Sequence, residues 1–310
     1  MYNIPKKTLG LDISNSAITA VELLHKKDKL NVVNYARIEL EPGIIEDDCV
    51  ILNKDLFKKA LIELLKNGEK GEFTSSNVII SIPEEKIFTH DLCIPEDKIN
   101  NEQFIIQSAK DFIPIDLTEA IIDYKILNND SSKKEIKLNF VATQKNIIES
   151  ITKIISEVDL KVVFVDIDRN SLIRACVNDF HKIDNDFTVI SVNNIKTTFS
   201  VNGDTGASYS LDSNIAGNYF ITKIKESLKL NTLSEAKKFL NDLNSDPNDI
   251  KKVQEILQES FNELVKKVSK LIKIAESQNS LKINTIYIIG SHSRIPGLIE
   301  TFQKAFSSIK

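Results

Sequence analysis

The sequence predicts an α/β protein of two related lobes, the first carrying an inserted α+β subdomain. Three observations predict it. A strand–turn–strand opening occurs twice, once from TLGLDI and again from FTVISV. The stretch INTIYIIGSHSRIPGLIETFQKAF reads strand, glycine-containing loop, helix. Between the two openings lies a block whose elements run β-α-β-β-α-β, the order of a small α+β unit. The 310 residues leave room for two domains and a sizeable core. The expected first lobe is 1–183, with the insertion at about 84–164. The expected second lobe is 184–310, with a helical subdomain at about 223–280. The two would face each other across a cleft.

Each element has its own signal. TLGLDI, AITAVELLH and KLNVVNYARIEL alternate between apolar and polar residues. Short polar turns separate them, Ser14–Asn15–Ser16 and the tip around Asp28, so antiparallel pairing is expected. Pro42–Gly43 breaks the chain. Leu56, Phe57, Ala60, Leu61, Leu64 and Leu65 recur at helical spacing and predict a helix over Lys54–Lys66. NVIISIP (Asn77–Pro83) is a buried strand. In the insertion, KIFTHDLCIP is a strand ended by Pro95, and NNEQFIIQSAKDFIP is a helix closed before Pro114. AIIDYKIL and KEIKLNFVAT form a strand pair. QKNIIESITKIISEV reads as the insertion's second helix and LKVVFVDI as its last strand. DRNSLIRACVNDF is a helix rejoining the first lobe. In the second half, Gly203 and Gly206 supply the hairpin turn. Tyr219–Leu243 is helical. Asp249–Gln278 keeps an apolar stripe over about eight turns, with Asn248–Asp249 as its cap.

Composition excludes several classes. A net charge of −4, with fifteen Phe, six Tyr and no Trp, gives neither the basic excess nor the aromatic surface of a nucleic-acid binder. Cys49, Cys93 and Cys176 lie far apart, and the four histidines are scattered. Neither a disulfide framework nor a metal cluster is expected. The stretch MYNIPKKTLG has no apolar signal core, and no run reaches the roughly 18–20 apolar residues of a membrane span. A cytoplasmic protein is expected, brought to any membrane by a partner. The GxGxxG, GxxxxGK[ST] and GxSxG motifs are absent, and an SxxK frame at Ser269 ends on Ile272. The lysine runs Lys26–Lys29, KIKESLKL and VKKVSKLIK read as solvated faces. Glycine is scarce: 9 residues, or about 3%, against a typical ~7%. Phosphate-gripping folds use glycine for close backbone approach, so the positions of the remaining glycines carry information.

Six stretches carry a resemblance: LGLDISNSAITAVEL, NVIISIPEE, DFIPIDLTEAIIDY, LKVVFVDIDRNSLIRA, LNTLSEAKKF and IYIIGSHSRIPGLIE. In this order, over nearly the whole chain, they resemble the PilM family of type IV pilus assembly proteins, within the actin/Hsp70/hexokinase superfamily. The IPIDL–DY element and the Asp166–Ala175 stretch are the more specific ones. The resemblance implies a two-lobed actin-like ATPase fold of duplicated ribonuclease H-like sheets, with the insertion as the family's extra subdomain. It implies ATP in the cleft. It further implies a cytoplasmic platform, peripheral to the inner membrane, that binds the cytoplasmic tail of PilN, an inner-membrane pilus protein. A groove beside the insertion would receive that peptide. The role allows self-association.

Three loops would hold the nucleotide. In the first, Asp12–Thr19, Asp12 matches the family's acid and would hold Mg²⁺ through waters. Ser14 stands where glycine is usual, and Thr19 where a lysine commonly reaches the phosphates. Asn15 and Ser16 keep donors in the turn. A serine forced to positive φ would cost of order ~1 kcal/mol. The second loop, normally Asp-x-Gly, is Ser191–Val192–Asn193, so the second acid is absent, though Thr197 and Thr198 keep hydroxyls nearby. Ala216–Gly217 stands where two glycines are usual. The third loop, normally Gly-Gly, is Gly290–Ser291. The expected cofactor contacts are therefore Asp12, Ser14, Asn15, Ser16, Thr19, Gly217, Gly290 and Ser291, with Asp12 the metal ligand and no catalytic residue. Binding of ATP and Mg²⁺ is expected to be weak or lost, and turnover absent, since hydrolysis needs metal positioning and an oriented water. Two rivals remain. One is an FtsA-like division protein that binds ATP and polymerises at the membrane, which an amphipathic C-terminal tail would favour. The other is a small-molecule kinase of the same superfamily, which needs intact phosphate loops.

Overall fold

The computed structural model describes residues 5–26, 29–46, 50–82, 87–130, 134–176, 186–202, 208–243, 246–279 and 281–309. Asp28, the Gly203–Gly206 turn and the expected boundary at 183/184 lie outside the described residues. The chain divides into two compact units, Met1–Ala175 and Cys176–Lys310.

The first unit opens on three strands, β1 (Lys7–Ile13), β2 (Ala17–Lys26) and β3 (Lys29–Glu39), followed by helix α1 (Lys54–Lys66) and strand β4 (Asn77–Ile82). The alternation read from the sequence becomes burial. Leu9, Leu11, Ile18, Ala20, Val78 and Ile80 point to one face and are buried against Phe57 and Leu61 of α1. Asn53 caps α1 by accepting the Leu56 N–H at 3.1 Å. A small second sheet follows, made of β5 (Ile87–Pro95), β6 (Ala120–Asp130) and β7 (Glu135–Gln144), with β7 central. Helix α2 (Glu102–Ala109) closes it through Ile105, which packs with Ile94, Leu138 and Phe140 in a core of its own.

This insertion is shorter than the 84–164 expected. Strand β8 (Lys161–Ile167) belongs to the first sheet, and helix α3 (Lys145–Ser156) packs in that sheet's core. β8 pairs in parallel with β4, and Ile147, Ile151, Ile154 and Ile155 of α3 are buried in the core of Leu11 and Phe57. Periodicity encodes which side of an element is buried, not which sheet buries it. The completed order is β3-β2-β1-β4-β8, an antiparallel meander continued by parallel strands. Helix α4 (Asp168–Cys176) follows β8 directly.

The second unit repeats that plan. Strands β9 (Asp186–Val192), β10 (Thr197–Asn202), β11 (Ser208–Ser213) and β12 (Ile283–Ile289) lie in the order β11-β10-β9-β12, with β12 parallel to β9. Helices α5 (Gly217–Ser227), α6 (Leu233–Asn241), α7 (Pro247–Asn279) and α8 (Leu298–Ala305) complete it. The expected helical subdomain has no separate core: Phe220, Ile224, Leu257 and Phe261 pack with Phe199 and Val201 of β10 in one cluster. The α7 cap is Asp246, not Asn248–Asp249. Its carbonyl accepts the N–H groups of Asp249 and Ile250, and its Oδ1 accepts the Asn248 N–H at 2.8 Å. Pro247 takes the first helical position, where a missing N–H costs nothing. Among the described residues no helix is long and apolar enough to cross a membrane.

Candidate functional site

One row of polar side chains crosses all five strands of the first sheet. Register sets it. Asp12 pairs with Thr19 and with Ser81, Thr19 with Arg37, and Ser81 with Asp166. Directly paired residues share a face. Leu11, Ile13, Ile18, Ala36 and Ile80 beside them are buried on the opposite, helix-covered face. The row is internally bonded. The Ser81 hydroxyl donates to Asp12 Oδ1 at 3.2 Å, and Arg37 Nη1 donates to the Thr19 hydroxyl at 3.3 Å.

The two acids of this row differ. Asp166 is buried and closed. It is ion-paired with Arg174, and it accepts the Ser171 hydroxyl at 3.0 Å and the Ile167 N–H at 2.8 Å. Asp12 keeps its carboxylate open to solvent. The protein crowded around it still makes ionisation costlier, so burial pushes its pKa up, against the Ser81 hydrogen bond and the Arg37 charge. Asp12 is thus the acid of the row that a cation can reach. Among the described residues no three metal-ligating side chains cluster. Mg²⁺ at Asp12 would therefore keep most of its water shell, which suits an ion that dehydrates reluctantly. The sequence singles out neither Arg37 nor Ser81; strand register, not a motif, brings them beside Asp12.

The missing glycine of the first turn has a simple resolution. Ser14 N–H donates to the Ala17 carbonyl at 3.0 Å, the Ser14 hydroxyl donates to the same carbonyl at 3.0 Å, and Ala17 N–H donates back to the Ser14 hydroxyl oxygen at 3.2 Å. Neither Ser14, Asn15 nor Ser16 has a positive φ. The strain expected of a serine here does not arise. The cost is different: the hydroxyl and N–H of Ser14 close the turn instead of facing a phosphate.

In the second unit the position of Asp12 is taken by Ser191, which pairs with Thr198 and Ile289. Ser191 is buried and its hydroxyl oxygen accepts Asn193 Nδ2 at 3.1 Å. The turn carbonyls are also engaged. Gly217 N–H donates to Asn193 O at 2.8 Å, Asn218 N–H to Asn194 O at 2.7 Å, and His292 N–H to Val192 O at 3.0 Å. The first N–H groups of a helix are what it offers to an anion; at α5 two of them are spent inside the fold. The Thr197 hydroxyl is likewise directed to Ile215 O at 2.7 Å.

Both remaining glycines are explained by packing. The His292 imidazole lies where a side chain at Gly217 would stand. Gly290 has φ +100°, and a Cβ there would meet Val192 O at 2.5 Å. Ser291 Oγ sits 3.0 Å from His292 Nδ1 and 3.4 Å from Asn194 Oδ1. The structure brings Ser191, Asn193, Gly217, Gly290 and Ser291 together as a knot closed on itself.

No curated relative matches the chain. Among solved structures it is similar to a PilM–PilN type IV pilus biogenesis complex (16% identity, 98% of this chain and 87% of that one, TM-score 0.77). It is similar to the ethanolamine utilization protein EutJ from Carboxydothermus hydrogenoformans (13% identity, 100% and 85%, TM-score 0.60). It is also similar to MreB5 of Spiroplasma citri bound to AMPPNP (11% identity, 99% and 91%, TM-score 0.53). These are likenesses of fold, and the fold is the actin-like ATPase fold that the sequence predicts. The family described as type IV pilus assembly protein PilM matches residues 10–309. With that match spanning nearly its whole length, the chain belongs to the PilM family of type IV pilus assembly proteins.

Proposed function

We propose that this chain is a platform protein of type IV pilus assembly. It works on the cytoplasmic side of the inner membrane, held there by the cytoplasmic tail of a PilN-like membrane protein. It binds ATP weakly, through its first unit, and does not turn it over. The observation that carries the reading is the family match over residues 10–309, and the likeness to a PilM–PilN complex supports the choice of partner.

The insertion suits a peptide-binding role. In its sheet β5 and β6 each have one neighbour, β7, so among the described residues each leaves an edge open to strand addition. Phe88 on β5 and Ile121 on β6 are exposed there. The weak-nucleotide reading is supported by the contrast between the two units. The first keeps an accessible acid at Asp12, whereas the second has Ser191 at that place and its turn carbonyls bonded within the fold.

The test is calorimetry on the full chain with a synthetic peptide of the cytoplasmic tail of the PilN-like protein encoded in the same genome. Saturable micromolar binding, absent for a scrambled peptide, is expected. Equal heats from both peptides would overturn the partner.

A further inference from the structure

We infer that Arg37 is the phosphate-recognising side chain of the first unit, receiving the polyphosphate of a nucleotide from the strand next to the one where a lysine is missing. The inference rests on the weak-nucleotide reading and names the residue that supplies its charge.

The row runs across β1, β2 and β3. Asp12, Thr19 and Arg37 are consecutive partners across these strands. Adjacent strands lie about 4.8 Å apart, so the backbones carrying Asp12 and Arg37 are separated by about 10 Å. The small Thr19 lies between them. The Arg37 guanidinium leans over β2 to the Thr19 hydroxyl, toward the acid rather than away from the sheet.

Charge is distributed unevenly along the row. Asp166 has its own arginine, Arg174. Asp12 has a hydroxyl. Among the described residues Arg37 makes no ion pair, and its hydrogen bond goes to a neutral oxygen. A guanidinium has five N–H donors in a planar fork that fits two oxygens of one phosphate. An anion lying over Thr19 would meet that fork at one end and a cation carried by Asp12 at the other. A polyphosphate with its magnesium has that alternation of charge; a nucleoside or a sugar does not.

Arg37 occupies this place because of a backbone irregularity. The β2–β3 pairing shifts by one residue between Glu22 and Leu23. Continued from Lys26↔Lys29 without the shift, the pairing would set Ala36 opposite Thr19 and turn Arg37 to the core side. An exposed arginine on an edge strand can also serve only to discourage strand pairing, and the experiment separates the two roles.

The experiment is isothermal titration of the full chain with MgATP. The variants are Arg37→Ala, Arg37→Lys and the double change Arg37→Ala/Thr19→Lys, each checked for an unchanged melting temperature. Loss of a charge-assisted pair predicts an affinity at least about tenfold weaker for Arg37→Ala. Partial retention by Arg37→Lys and recovery in the double variant are expected, because the charge returns on the adjacent strand. If Arg37→Ala binds as the wild type does, the role of Arg37 is overturned and the nucleotide reading stands. If binding falls and neither lysine restores it, the residue acts through shape and the inference is overturned. If the wild type gives no heat with MgATP at millimolar concentration, the inference and the nucleotide reading fail together, leaving the PilN-like partner to its own peptide test.

Discussion

The imidazole of His292 lies against the α-carbon of Gly217 at the first turn of α5. Gly217 is bare because a ring needs the room. Gly217→Ala is therefore expected to destabilise the protein by about 1–3 kcal/mol, the usual cost of overpacking. In a His292→Ala background the same change is expected to be neutral or stabilising, since alanine is the better helix former by up to ~1 kcal/mol. Urea denaturation of the four proteins in this cycle measures the coupling. Equal costs in both backgrounds would separate Gly217 from His292.

Glu22 is a buried carboxylate tying β2 to the loop before β4. It accepts the Thr74 N–H at 2.9 Å and the Ser75 N–H at 2.6 Å, and pairs with Lys7 at 3.2 Å. Burial works against its charge, but those N–H bonds and Lys7 outweigh it and hold the pKa below the ordinary glutamate value. A lowered folded-state pKa gives stability that is complete above the unfolded value, about 4.3, and lost as pH falls through the folded one. Glu22→Gln is expected to cost about 1–3 kcal/mol at neutral pH and to flatten the acid limb of the stability curve. Parallel acid limbs for variant and wild type would contradict this.

Asp12 has the opposite sign. Its pKa is raised, chiefly by burial. The folded protein thus loses stability as pH rises from the ordinary aspartate value, about 3.9, through the raised one. Asparagine does not titrate. Asp12→Asn is expected to be more stable than wild type at neutral pH, by a small margin because solvent reaches the carboxylate, and the gain vanishes below about pH 3.9. The same variant loses the Mg²⁺-dependent part of ATP binding. Chemical denaturation across pH checks the first half, and titration with and without magnesium checks the second.

Arg174 neutralises the buried Asp166. Arg174→Met leaves that charge with the Ser171 hydroxyl and one N–H. The expected cost is about 1–3 kcal/mol. That is below the 3–5 kcal/mol of a fully enclosed pair, because the Arg174 side chain is 43% exposed. Adding Asp166→Asn should return most of the loss. A thermal melt that drops further in the double variant would refute the pairing as the cause.

Much of the fold was legible because burial follows alternation and helical spacing directly. Helix α1 has the bounds that its leucines predict, and each half opens on antiparallel strands, as the alternation predicts. What was not legible depended on partners. The sequence marks the apolar side of α3 and β8, but nothing in it says which sheet they face. At the site, Asp12 could be read because it ends an apolar strand beside a short turn. Arg37 could not, because a hairpin counted from its tip is one residue out of register once the shift beyond Glu22 is passed. The closure of the second unit was hidden for a related reason. Ser191, Gly217 and His292 are far apart in sequence, and the hydrogen bonds that consume the helix-start donors run between segments no motif links.

The hairpin at Ser14 closes with its own hydroxyl and with no residue in the left-handed region. Position 14 is thereby released from glycine's monopoly. It can drift among small hydroxylated residues while Asp12, Thr19 and Arg37 hold their places on the strands. A signature keyed to glycine at that position would pass over chains like this one, whereas one keyed to the strand row would keep them.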